Sequence, residues 1–119
     1  MLSAIKSDEN FLNKSMDWNF PIPIAYGPGR LNEISAFCSK LKMSNPLIVT
    51  DKGSKQLPFV SRLTTLIKNA SIQNQLFYGI SPNPRDDEII AGCIAYRKGN
   101  HDGIIAIGGG SALDGAKAI

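Results

Sequence analysis

Three consecutive glycines between an apolar run and the start of a helix constrain the fold of this chain most. Ile104–Ile107 is rich in β-branched residues, as a strand covered on both faces requires. Gly108, Gly109 and Gly110 leave the next turn without side chains, so backbone N–H groups can approach an anion closely. Ser111 can cap the following helix, whose free N–H groups and dipole favour a diphosphate. The segment therefore predicts a phosphate-binding turn.

The rest of the chain alternates strands with helices. The strands predicted from apolar runs are an edge strand at best within Phe20–Gly27, then Leu47–Thr50, Asn74–Tyr78 and Ile104–Ile107. The helices predicted from apolar spacing are Arg30–Lys42, Pro58–Lys68 and a helix from Asp86 that ends at Gly99–Asn100. This order is typical of βαβ units with right-handed crossovers, so we expect an α/β fold, a Rossmann-like parallel sheet with flanking helices.

The two ends of the chain carry their own expectations. We expect residues 1–16 to be a frayed tail and residues 17–119 to form the α/β domain. Residues 1–15 lack the apolar core of a secretory signal and the arginines of a mitochondrial presequence, which favours a cytoplasmic location. The last helix stops at Ala118 and Ile119 without a glycine, an asparagine or closing cations, so we expect an incomplete N-terminal domain.

Composition favours a globular protein that binds neither nucleic acid nor membrane. Charged residues make up 19% of the chain and hydrophobic residues 43%, and no apolar run approaches a membrane-spanning length. The net charge is +3, yet the longest basic run is Arg97–Lys98. Cys38 and Cys93 fall on the apolar faces of helices, which indicates packing, with a disulfide as the alternative.

The common glycine motifs do not fit the segment after the last strand. The dinucleotide fingerprint would need a glycine where Leu113 stands, and a P-loop would need a lysine directly after Gly115. What remains is Gly-Gly-Gly-Ser-x-x-Asp-x-x-Lys, ending at Lys117. Asp114 lies one helical turn beyond Ser111, so the two residues could form a capping box. A capping box accounts for neither the glycines nor the lysine.

With these motifs the sequence resembles the iron-containing (group III) alcohol dehydrogenases. The resemblance covers about Asp17 to the end and is carried by the segments Tyr26–Arg30, Pro46–Asp51, Ser81–Arg85, Ile94–Arg97 and His101–Ile119. Members are much longer, with an N-terminal nucleotide-binding α/β domain and a C-terminal helical domain that holds a divalent metal, iron or zinc. The metal ligands, one aspartate and three histidines, correspond to no stretch of this chain.

The resemblance implies the NAD-binding portion of a metal-dependent alcohol dehydrogenase, which transfers hydride between a small alcohol or aldehyde and NAD. It also implies that the full-length protein is a homo-oligomer and that only the full-length protein holds the metal. By itself the 119-residue chain is then expected to be inactive. We expect no catalytic residue and no metal ligand within it.

The same resemblance assigns most of the cofactor-binding residues. Gly109, Gly110 and Ser111 would hold the NAD pyrophosphate, with Asp114 near the nicotinamide. Asp51 matches an acid at the end of the first parallel strand, where it would accept hydrogen bonds from the adenosine ribose and repel a 2′-phosphate, favouring NAD over NADP. The alternative for Asp51 is a cap on the next helix.

Three further polar residues have both a functional and a structural interpretation. Asn83 matches a Pro-Asn-Pro turn at the cofactor edge, or it is an ordinary asparagine turn. Lys117 lies near the cofactor in the family, or it is a surface cation. His101, the only histidine, stands before a strand at the amino edge of the sheet, so we expect a surface or structural role.

Two other interpretations stay open. One is a non-redox module that binds a sugar phosphate or a nucleotide with the same glycine turn. The acid pair Asp51 and Asp114 argues against it, because two carboxylates repel a free phosphate but suit the ribose and nicotinamide of a dinucleotide. The other is a chain that binds nothing because an incomplete sheet does not fold stably.

Overall fold

The computed structural model describes residues 15–19 and 22–119. It divides the chain into two compact units, one ending at Glu33 and the other running from Ile34 to Ile119. Most of the expected N-terminal tail, residues 1–14, lies outside the described residues.

The first unit contains a small antiparallel sheet. Strand β1, Met16–Asn19, pairs with β2, Pro23–Tyr26, and a 3-10 helix follows at Arg30–Glu33. Strand β2 lies within the edge strand expected between residues 20 and 27, and Pro23 opens it, where a missing N–H is tolerated. Strand β1 was not predicted. Arg30 donates to Asp17 Oδ1 over 2.7 Å and also pairs with Glu33 within its own 3-10 turn.

The second unit has the expected alternation of strands and helices. In order, its elements are α1 (Ile34–Lys40), β3 (Pro46–Asp51), α2 (Pro58–Asn69), β4 (Gln75–Ile80), α3 (Asp86–Lys98), β5 (Gly103–Ala106) and α4 (Gly110–Ala118). In the described part the three strands lie in the order β4-β3-β5, all parallel. The prediction of a Rossmann-like parallel sheet with flanking helices is confirmed. No helix in the described residues is long and apolar enough to cross a membrane.

The central strand β3 is covered on both faces, as its apolar sequence requires. Leu47 and Val49 point to one face and cluster with Ile80 and Ala116. Ile48, between them, is equally buried and points to the opposite face. A strand hydrogen-bonded on both sides and covered on both faces is the most constrained element of such a sheet.

The helices present narrow apolar stripes. Helix α2 buries Val60, Leu63 and Ile67, whose spacing places them on one side of the helix. Helix α4 packs against β3 and β5. At Gly115 a side-chain carbon would lie only 2.9 Å from Ile80 Cδ1, so the glycine sets how closely α4 can approach the sheet.

One predicted helix is shorter than expected. The sequence predicts a continuous helix over Arg30–Lys42, but the chain forms a 3-10 turn first and α1 ends at Lys40. Lys42 adopts φ +59°, in the left-handed region, and Met43 N donates to Cys38 O over 2.9 Å, which closes the helix end. Cys38 is fully buried, as expected of apolar packing, and both cysteines are free.

Candidate cofactor-binding site

The loops that follow β3, β4 and β5 meet at one edge of the sheet, which we call the carboxyl edge. Parallel strands end on the same side, and hydrogen bonds then tie their loops together. Lys52 N donates to Ile80 O over 2.9 Å, and the buried Thr50 hydroxyl donates to Ile107 O over 2.7 Å. Ser111 Oγ donates to Pro82 O over 2.8 Å.

The glycine turn, residues 108–110, has one position that only glycine adopts without strain and two positions with free space beside the backbone. Gly108 has φ +136°, and a side-chain carbon there would lie 3.0 Å from both Asp51 Oδ2 and Ala112 Cβ. A carbon added at Gly109 or Gly110 would meet nothing within 4 Å, and both residues are exposed. The first glycine is therefore required by the fold, while the other two leave the space beside the backbone empty.

Helix α4 begins at this turn with its N–H groups free of side-chain caps. Gly109 is the N-cap residue, and Leu113 N donates to Gly109 O over 3.2 Å. The N–H groups of residues 110–112 precede this bond and have no acceptor within the helix. Together with the helix dipole they form an anion-binding end of the kind that holds phosphate.

The prediction that Ser111 caps α4 is wrong. The helix begins at Gly110, so Ser111 already lies within the first turn and uses its hydroxyl to hold Pro82 O. The alternative capping box with Asp114 is excluded for the same reason. Gly109 takes the N-cap position instead, so the helix begins two residues earlier than the serine suggests.

The carboxylate of Asp51 folds over the turn after β3. It accepts hydrogen bonds from Ser54 N at 2.8 Å and from Ser54 Oγ at 2.9 Å. The alternative that Asp51 caps the next helix is wrong, because the N-cap of α2 is Leu57 and no side chain caps it. Asp51 is half-exposed and lies against Gly108, so its carboxylate borders the glycine turn.

Glu88 is the one buried carboxylate in the described part of the chain, with 8% of its surface exposed. Its Oε1 accepts from Ser81 N at 3.1 Å and from Arg85 N at 3.0 Å. Its Oε2 accepts from the Ser81 hydroxyl and from Lys52 Nζ at 3.3 Å. The bond from the Ser81 hydroxyl, supported by the backbone N–H groups and Lys52, lowers the pKa of Glu88 to about 2. The ionised carboxylate thus fixes the loop between β4 and α3.

The sequence places Glu88 within the helix expected from Asp86 and assigns it no role in a site. The sequence signal is its place at the third helical position, from which an acid reaches back to the N-cap N–H. Arg85 stands at that cap instead of serine or threonine, so the usual pattern is hidden. The Lys52 contact joins residues 36 apart and has no local signature.

Comparison with known protein families identifies the family to which this chain belongs. A model of the family described as iron-containing alcohol dehydrogenase matches residues 21–119. The chain belongs to the iron-containing alcohol dehydrogenases. The match takes in all three loops of the carboxyl edge, as well as strand β2 and every later helix and strand.

Individual relatives agree with the family. NADH-dependent butanol dehydrogenase A of Clostridium acetobutylicum is 35% identical over 106 residues, 88% of this chain and 27% of that protein. NADPH-dependent butanol dehydrogenase of Clostridium saccharobutylicum is 34% identical over 105 residues, 87% of this chain and 26% of that protein. A crystal structure of 1,3-propanediol oxidoreductase superposes with a TM-score of 0.73 at 32% identity, covering 76% of this chain and 24% of that one. The chain thus spans about a quarter of the length of these relatives.

The carboxyl edge brings most of the predicted residues together. Asn83 is exposed in the loop after β4, directly beyond the Pro82 carbonyl that Ser111 holds. Lys117 is exposed in the last turn of α4, seven residues or about 10 Å along the helix axis from Gly110. Asp114 lies between them along the helix and is exposed. Their contacts with a cofactor stay predictions.

His101 lies at the opposite, amino edge of the sheet and is structural. It is buried, with Nδ1 3.0 Å from Asn45 O and Nε2 3.0 Å from Gln75 Oε1. Within residues 15–19 and 22–119 no group of three or more histidine, cysteine or acidic side chains is placed to hold a metal ion. The described residues therefore do not fit the iron of the family, whereas the open glycine turn fits a diphosphate.

Proposed function

We propose that this chain binds NAD and forms the nicotinamide-cofactor part of a metal-dependent alcohol dehydrogenase. The reaction is hydride transfer between a small alcohol or aldehyde and NAD. The observation that carries the proposal is the open Gly109–Gly110 backbone at the N-terminus of α4, where a side-chain carbon added at either glycine would meet nothing within 4 Å beyond its chain neighbours. Family membership supplies the reaction class.

The residues at the carboxyl edge then have distinct tasks. The N–H groups of residues 110–112 bind the pyrophosphate, and Gly109 lets it approach the backbone. The Ser111 to Pro82 bond holds the Asn83 loop beside the phosphates. Asp114 and Lys117 extend along α4 towards the nicotinamide half of the cofactor. When bound, NAD supplies the ring that accepts hydride from the alcohol carbon or returns it to the aldehyde.

Asp51 decides between the two nicotinamide cofactors. Its carboxylate can accept hydrogen bonds from the ribose hydroxyls of NAD, whereas the 2′-phosphate of NADP would meet a like charge. One relative is named for NADH and another for NADPH, so the choice depends on residues of the individual chain. We infer that this chain prefers NAD.

Calorimetry on the purified chain tests the proposal. NAD is expected to bind more tightly than NADP, and glucose 6-phosphate more weakly than either, because it lacks the second phosphate and the ribose that Asp51 recognises. Absence of NAD binding would overturn the proposal. Tighter binding of glucose 6-phosphate than of NAD would instead favour a non-redox phosphate-binding module.

A second assay addresses the chemistry. The proposal assigns no metal ligand and no catalytic residue to the described part of the chain. Purified residues 1–119 are therefore expected to bind NAD without producing NADH when an alcohol and a divalent metal are added. Measurable alcohol-dependent NADH formation would show that the chain also carries catalytic residues, which would contradict this assignment.

A further inference from the structure

A second pair of charges lies beside the carboxylate that selects the cofactor. Lys52 directly follows Asp51, and its ammonium lies 3.3 Å from Glu88 Oε2. In the described part of the chain Glu88 is the one acid within ion-pair distance of Lys52. A lysine next to the ribose-binding acid could otherwise offer a counter-charge to a 2′-phosphate.

We propose that Glu88 is a specificity-determining residue, which holds the Lys52 ammonium away from the adenosine ribose so that Asp51 rejects NADP. The inference rests on the proposed function, in which Asp51 receives that ribose. It deepens that function by assigning the choice of cofactor to three charges instead of one.

The geometry makes Glu88 the fixed member of the pair and Lys52 the mobile one. Glu88 is buried and is held by Ser81 N, the Ser81 hydroxyl and Arg85 N, none of which depends on Lys52. The Lys52 side chain is 59% exposed on a flexible four-carbon stem. Without the Glu88 carboxylate, the ammonium would have no described partner except the Ser81 hydroxyl at 3.5 Å.

The charges predict which cofactor responds to substitution. Asp51, Lys52 and Glu88 together carry one net negative charge, and Glu88→Gln makes this group neutral. NADP brings a 2′-phosphate to this place, whereas NAD brings an uncharged hydroxyl. A change of one unit charge near a doubly charged phosphate in a water-like dielectric alters affinity on the order of fivefold to tenfold. NAD affinity should change far less.

The test is calorimetric titration of the purified chain with NAD and NADP at low ionic strength. E88Q is expected to raise the ratio of NADP to NAD affinity on the order of fivefold to tenfold. E88Q/K52M should return to the ratio of the unsubstituted chain, because the gain depends on the released lysine. D87N is the matched control: it removes an exposed acid from the same helical turn, one that pairs with Arg85 over 3.1 Å, and should leave the ratio within about twofold.

The outcomes separate this inference from the proposed function. If the chain binds NAD and E88Q moves the ratio no more than D87N does, the inference is overturned and the proposed function stands. If E88Q does not fold, E88D decides, because aspartate keeps the negative charge but draws it back from the Lys52 ammonium: a rise in the NADP to NAD ratio supports the inference and an unchanged ratio overturns it. If the unsubstituted chain does not bind NAD, both fail.

Discussion

Adjacent glycines in this chain serve different purposes at the scale of single residues. Gly108 has a positive φ and lies against Asp51, so the fold itself requires it. Gly109 has φ −84° and ψ −167°, which other residues adopt easily, and its surroundings are empty. A requirement for glycine at position 109 therefore comes from a ligand and not from folding.

Gly109→Val tests this distinction. The valine should leave the free energy of unfolding within about 0.5 kcal/mol, since it meets no neighbour, and should weaken NAD binding by roughly tenfold or more, because it fills the phosphate space. Thermal unfolding and calorimetry measure the two effects. Gly108→Val is the opposing control, expected to cost about 1–3 kcal/mol of stability through strain. Undiminished NAD binding by G109V would contradict the assignment of the glycine turn.

Glu88 makes the free energy of unfolding depend on pH in the acidic range. Its pKa is lowered from 4.5 to about 2, so the folded state binds this proton less readily than the unfolded chain does. The resulting stabilisation is fully present above about pH 4.5 and is lost as the pH falls through about 2. E88Q should flatten the decline in unfolding free energy over this interval, measured by urea unfolding at a series of pH values. D87N should keep the original slope, and equal slopes for both variants would count against the prediction.

Glycine also sets the packing of a whole element. Helix α4 lies on the sheet because Gly115 presents no side chain to Ile80. Gly115→Ala should cost about 1–3 kcal/mol, since overpacking outweighs the better helix propensity of alanine. Gly110→Ala, in the same helix but in open space, should be neutral or slightly stabilising. Denaturant unfolding of both variants measures the difference, and a G115A chain as stable as G110A would mean that α4 packs more loosely.

The sequence predicts the elements better than the contacts between them. The strands of the parallel sheet follow from short apolar runs, and the glycine turn follows from its local sequence. The role of Asp51 is implied by the family resemblance and stays a prediction. Strand β1 escapes prediction because it is short and lies next to the expected tail, and within the described residues it pairs with β2 alone. The helix starting at Arg30 is divided because the left-handed backbone at Lys42 and the 3-10 turn are not expressed in apolar spacing. Glu88 escapes because its partners come from two separate loops.

The two edges of the parallel sheet have different roles. Hydrogen bonds at the amino edge stabilise the fold, and the carboxyl edge carries the candidate cofactor site. At the amino edge Asp102 accepts hydrogen bonds from Ser44 N at 2.8 Å and from Asn45 N at 2.9 Å, which lower its pKa. His101 joins Asn45 to Gln75 beside it. Most of the candidate cofactor residues lie at or near the carboxyl edge, at the other end of the strands.

This separation predicts independent effects. Asp102→Asn should lower the thermal midpoint, because the amide nitrogen that replaces one carboxylate oxygen cannot accept the hydrogen bond donated by Ser44 or Asn45. The substitution should leave NAD affinity unchanged. Saturating NAD, at about a hundred times its dissociation constant, should stabilise both chains by about 2.7 kcal/mol, measured by thermal shift. A large loss of NAD affinity in D102N would show that the two edges are coupled.

The empty space beside Gly109 also has a consequence for how such chains diverge. Substitution of Gly109 costs little folding stability, so selection for a stable fold does not act on this position. Selection for ligand binding is then what preserves the glycine. In a duplicated copy released from that selection, Gly109 and Gly110 should be among the first to drift, while Gly108 persists as long as the copy folds. A descendant that keeps Gly108 but has lost Gly109 and Gly110 would therefore be expected to fold without binding the cofactor of its ancestor.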